Sequence, residues 1–259
     1  MSIAIQFVET LARPGVLGLI GRRLEIAAQH DLETYFTQLA RRIDGANLGF
    51  LVTQNQDSVM HAVDMKLQNI LRITGADLQN ILMSNIYIAM LRTDRINPLA
   101  EAEKVTVTDK LGLSGEEAAA YAKLKAAELV VDINNTTKQI IADAVSAGIQ
   151  DQLGVDSTAR LIRAVLTDMT KSRSRTIATT EMNAAMSKST LLKLERNAIP
   201  YKQVIPSADA CPICLSVIAA GPVPVTESFY DDEGDAYDST PIHPNCRCAT
   251  TGALAPQEN

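Results

Sequence analysis

Between about Leu17 and Asn197, apolar side chains return every three or four positions, the spacing that lines one face of an α-helix. Over residues 133–152, Ile133, Ile140, Ile141, Ala144 and Val145 share a face and Lys138 and Asp143 lie away from it, as on a helix set against a core. The period is interrupted at DGANLGF (44–50), ITGAD (73–77), the segment 96–115 and LGVDS (153–157), so roughly six helices are expected. Two helix starts are marked by side chains able to cap free backbone N–H groups. Ser114 and Glu117 have the spacing of a capping box, and Asp156 or Ser157 stands ahead of TARLIRAVLTDM.

After Pro200 the helical period disappears and prolines collect. YKQVIP (201–206) and GPVPVTESFY (221–230) read as short extended pieces, and YDDEGDAY (230–237) as a hairpin with Gly234 at the position that needs positive φ. Its acids lack the ligand spacing of a calcium loop, so a solvated turn is expected. The fold class that follows is mainly α: a multi-helix body over residues 1–198, then a small, loop-rich α+β module over residues 199–259. Composition agrees, since aromatics make up only 4% and Trp is absent, while the plentiful Ala, Leu and Ile favour helix over sheet. The first residues lack a basic leader region, and no apolar run approaches the roughly 18 residues of a membrane span. The chain is therefore expected to work without crossing a membrane, in a reducing compartment.

A net charge of -6 supplies no global attraction for nucleic acid, so any such contact must come from a local patch. One strip qualifies. Arg160, Arg163 and Lys171 lie opposite the apolar face of Leu161, Ile162, Val165, Leu166 and Met169, and Arg173 and Arg175 extend it. Its plain reading is a solvated helix face. Its functional reading is a dock for DNA phosphates or an acidic protein surface, whose oxygens a guanidinium grips two at a time.

All four cysteines are confined to two short segments, ACPICL (210–215) and IHPNCRC (242–248). Cys211 and Cys214 form a CxxC pair, Cys246 and Cys248 a CxC pair, and His243 stands three residues before Cys246. Zinc takes four thiolate or imidazole ligands in a tetrahedron, so four of these five suffice for a closed structural site. Pro212, Pro241 and Pro244 stiffen the ligand loops and lower the entropy lost on closing them. Such an ion would hold a module too small to be stable through burial alone. Two disulfides, such as Cys211 to Cys246 and Cys214 to Cys248, and four buried thiols are the competing readings. A zinc- or thiol-dependent enzyme acting on nucleic acid or the host envelope, with His243 activating Cys246, is the alternative in function. Five candidates for four places favour a closed site without catalysis.

The run IATTEMNAAMSKS (177–189), then ACPICL, then PIHPNCRC (241–248), resembles the phage Mu F-like minor head protein family of tailed bacteriophages. The likeness covers roughly residues 130–250, with helices expected from about 130. Thr180 and Glu181 match the family's Thr-Glu pair, Asp209 the acid before its first Cys, and Cys211, Cys214, His243, Cys246 and Cys248 its terminal cluster. Thr179 stands where the family usually has Arg, and Ala210 where Thr is common. The resemblance implies a virion structural protein acting in head morphogenesis, not an enzyme. It would be assembled in the host cytoplasm and present in few copies near the portal vertex, against portal or major capsid protein and in some relatives against packaged DNA.

Overall fold

A computed structural model of the protein describes residues 14–44, 59–95 and 114–253. Among these residues four long helices come first: α1 (Pro14–Asp44), α2 (Val59–Arg95), α3 (Gly115–Gln150) and α4 (Val155–Arg196). The remainder is β1 (Tyr201–Ile205), the short α5 (Pro212–Ala219), β2 (Val223–Pro224), β3 (Phe229–Tyr230), β4 (Ala236–Tyr237) and β5 (Ala249–Ala253). The protein is thus mainly α with a small α+β region at its C-terminal end. No helix among the described residues is long and apolar enough to cross a membrane.

Among the described residues the helices of the body are long, and ITGAD (73–77), an expected break, does not end one. Leu67, Leu71, Thr74, Leu78 and Leu82 are all buried, so the inward stripe continues unbroken through that stretch. The Thr74 hydroxyl turns back to the Ile70 carbonyl at 2.9 Å and accepts the Tyr35 hydroxyl at 3.4 Å. Helix propensity alone disfavours Gly75 by about 1 kcal/mol, less than burying two leucines contributes. Of the other expected breaks, residues 45–50 and 96–113 lie outside the described residues.

The capping box forms as its spacing predicts. The Glu117 N–H donates to Ser114 Oγ at 3.1 Å, and the Ser114 N–H donates to Glu117 Oε2 at 3.0 Å. The next start differs from expectation. Helix α4 begins at Val155, with the Thr158 N–H bonded to the Gly154 carbonyl, so Asp156 and Ser157 sit inside its first turn. Asp156 there still favours the positive helix end. Two helix ends close without glycine: Gln152 (φ 52°) and Ala198 (φ 50°) take the left-handed conformation. At the second, the Ile199 N–H reaches the Leu194 carbonyl at 3.0 Å and the Ala198 N–H reaches Glu195 at 3.2 Å, a Schellman closure over two buried apolar side chains.

The described parts of the chain group into two compact units: Met1–Ala27, Asn85–Tyr121 and Thr176–Asn259 in one, Ala28–Ser84 and Ala122–Arg175 in the other. The second is helical, with a core including Leu32, Leu39, Leu67, Leu78, Ile141 and Val145. The first holds the strands. In its three-stranded sheet, of order β2-β1-β5, β1 pairs antiparallel with β5 from Tyr201↔Ala253 to Ile205↔Ala249. The acidic hairpin is β3 and β4, with Phe229 opposite Tyr237 and Gly234 at φ 88°. Lys202 of β1 is buried, donates to the Asp238 carbonyl at 2.6 Å and lies 5.1 Å from the centre of the Phe229 ring, tying hairpin to sheet.

Candidate metal centre

The five candidate ligands come together. Cys211 is the N-cap of α5 with Pro212 as its first residue, and Cys214 follows one turn later, so one helix start carries two sulfurs. The other three sit on the segment that leads into β5. His243 and Cys246 are ends of one tight turn, closed by the Cys246 N–H to the His243 carbonyl at 3.1 Å, and Asn245 holds its φ of 63°. Asn is among the few side chains that enter this left-handed region at small cost.

His243 Nε2 lies 3.1 Å from Cys211 Sγ and 3.2 Å from Cys214 Sγ, and Cys214 Sγ is 3.7 Å from Cys246 Sγ. Two groups of ligand atoms, Cys211–Cys214–His243 and Cys214–Cys246–Cys248, each fall within 4.8 Å of one another and share Cys214. Cys214, Cys246 and Cys248 are buried in the module's apolar core beside Val204, Val217, Phe229 and Ile242. All four cysteines are free thiols, with no disulfide among them.

This arrangement fits a metal ion. With sulfur ligands at roughly 2.3 Å, the edge of a zinc tetrahedron is about 3.8 Å, which the Cys214–Cys246 separation matches. His243 Nδ1 lies 2.8 Å from the Pro244 carbonyl, and an N–H donated there leaves Nε2 as the lone-pair atom facing the sulfurs. Burial pushes the Cys214 thiol up. The hydrogen bond between Cys246 and Cys248 raises Cys246, in the same direction as burial, and lowers Cys248 against burial. A bound cation would replace the protons that this crowding retains, so metal uptake releases protons and weakens on acidification.

What holds the ligand segment is a polar stripe on α4. Asn183 Nδ2 donates to the carbonyls of both Cys246 (2.7 Å) and Cys248 (2.9 Å). Thr180 Oγ1 accepts the Asn245 N–H at 3.0 Å, and Asn245 Nδ2 donates to Thr176 Oγ1 at 3.0 Å. The Thr240 hydroxyl donates to Asn183 Oδ1 at 3.2 Å and lies 2.6 Å from Ser187 Oγ. Thr176, Thr180, Asn183 and Ser187 recur at helical spacing, so one face of α4 holds the segment from Thr240 to Cys248, with Thr180 and Asn183 bonding its backbone. Glu181 is half-buried on the same helix. Arg247, between the last two cysteines, pairs with Glu25 at 3.3 Å and Asp209 at 3.5 Å.

Comparison with protein-family models, curated proteins and solved structures finds no match.

The basic strip is less continuous than its sequence suggests. Arg160, Arg163, Lys171 and Arg175 are exposed, and Arg160 donates to Ser157 Oγ at 2.9 Å. Arg173 turns inward, donating to Thr137 Oγ1 (2.9 Å) and the Ile133 carbonyl (2.7 Å) with its guanidinium 5.1 Å from the Phe36 ring centre. Burial lowers its pKa to about 10. It is a core anchor, whose partners lie on α3 and α1, far from it in sequence, and so cannot be read from charge alone.

Proposed function

We propose that this chain is a minor head protein of a tailed bacteriophage, in which a structural zinc ion staples the C-terminal module into a rigid docking surface. The observation that carries this reading is the meeting of the two segments behind the family resemblance. The helix containing IATTEMNAAMSKS holds HPNCRC through Thr180 and Asn183, across more than sixty residues of chain. Segments so distant in sequence recur together as a motif when they form one structural unit.

Thiolates with an imidazole select zinc over hard cations, which take oxygen ligands. Both ligand groups consist of Cys and His alone, without a carboxylate among the described residues, and this favours a structural ion over a catalytic one with a general base. The module would dock on portal or major capsid protein in few copies near the portal vertex inside the head, after assembly in the host cytoplasm. The acidic hairpin suits a basic partner. Arg160, Arg163, Lys171 and Arg175 suit an acidic one or packaged DNA, and binding through them should weaken with salt.

Sedimentation of heads and portal complexes from infected cells tests the reading. The chain is expected to travel with them in a few copies. Recovery only as free protein, from cells where heads assemble normally, contradicts it.

A further inference from the structure

We infer that the ion is held by Cys211, Cys214, His243 and Cys246, and that Cys248 stays outside the coordination shell as a thiol set toward a neighbouring cleft. This rests on the metal reading above and adds the identity of the ligands. Cys214 is common to both ligand groups, so an ion held by either one lies against its sulfur. Around that sulfur, His243 Nε2 stands at 3.2 Å and Cys246 Sγ at 3.7 Å, and His243 also reaches Cys211 at 3.1 Å. The Nδ1 contact to the Pro244 carbonyl orients the ring with Nε2 inward, as metal-bound imidazoles are oriented.

The spacing of the four agrees. Cys211 and Cys214 are three residues apart at a helix start, and His243 and Cys246 are three apart on a closed turn. Each segment therefore offers one CxxC-like chelating pair, and two such pairs complete a tetrahedron.

Cys248 has other surroundings. Its sulfur, within 4.8 Å of those of Cys214 and Cys246, also lies 3.8 Å from Ser207 Oγ, a hydroxyl contact that no other sulfur of the cluster makes among the described residues. Cys248 also helps line a cleft of about 320 Å³ with Ser207, Met182, Met186, Glu25 and Arg247, and none of the other four candidates does. Its backbone is fixed as well, because the next residue, Ala249, opens β5 in register with Ile205.

Cobalt substitution of the full chain, with zinc titrations of single variants, tests the assignment. One ion per chain is expected, with sulfur-to-cobalt charge-transfer intensity for three thiolates. Cys248→Ser should keep that band and bind zinc within about tenfold of the parent, whereas Cys246→Ser should lose more than about a hundredfold, beyond the range of outer contacts. Charge transfer from four thiolates, a loss of band intensity in Cys248→Ser, or two ions per chain would each overturn the assignment while leaving a metal site in place. Failure of the parent chain to bind any metal would overturn the metal reading and the assignment together. The parent and Cys248→Ser spectra suffice if Cys246→Ser does not fold.

Discussion

Asn183 carries a large share of the site without being one of its ligands. One amide donates to two carbonyls of the CxC segment and accepts from Thr240, so its loss leaves acceptors unpaired on the segment that must present Cys246. At about 1 kcal/mol for each bond, plus the desolvation left unpaid, Asn183→Ala should cost about 2–3 kcal/mol of unfolding free energy. Asn183→Asp should be no better, because a carboxylate cannot donate to either carbonyl. Denaturant unfolding of the two variants checks both statements; a loss in Asn183→Ala below about 0.5 kcal/mol would show that the stripe does not hold the segment. The five candidate ligands were legible from residue type and spacing, because thiols grouped in pairs have few other uses. Asn183 was not singled out, although Thr176, Thr180, Asn183 and Ser187 form a polar line on a helix. That line has no meaning until the partner segment is known, and Arg173 went astray for the same reason.

Helix ends decide much of the second scale. Ala198 closes α4 in the left-handed region, where a Cβ costs about 1–2 kcal/mol, and glycine gives back part of this through the entropy of its unfolded chain. Ala198→Gly should therefore raise stability by about 0.5–1 kcal/mol, measurable as a higher Tm. At the start of α3, the Arg196 hydrogen bond and then Ser114 pull the Glu117 carboxyl from 4.5 to about 2. Its folded pKa is thus below its unfolded one, so the contribution is full above the ordinary carboxylate range and is lost as pH falls from about 4.5 towards 2. Glu117→Gln should be less stable than the parent near neutrality, and the gap should close by about pH 2; a gap constant over that window would deny the carboxylate its role. In α3 and α4, Gly148 marks a close approach where an added Cβ would lie 2.6 Å from Thr158 Oγ1. Overpacking of about 1–3 kcal/mol outweighs the gain of about 1 kcal/mol in helix propensity, so Gly148→Ala should lower Tm and Thr158→Ala should largely rescue it. Periodicity and the capping box were readable at this scale because they depend on neighbours within one helix. The unbroken α2 depends on burial across helices, and β5 is the small-residue run ATTGA, which shows neither alternation nor bulk and gains its strand only by pairing with β1.

For the whole molecule, length, helical period and the change of character after Pro200 were enough to anticipate a helical chain with a small mixed region at its C-terminal end. They did not anticipate that the ends of long helices group with that region in one compact unit. The core of the C-terminal region is small and includes three of the four sulfurs, so a cation at their meeting point would add to folding free energy directly. Metal content measured with a thiol count on the full chain, purified under reducing conditions without added metal, bears on this most directly. One zinc per chain is expected, with the four thiols shielded from reagents until a chelator removes the ion and exposes residues 199–259 to protease. Metal-free protein with four reactive thiols and an intact, protease-resistant module would contradict it.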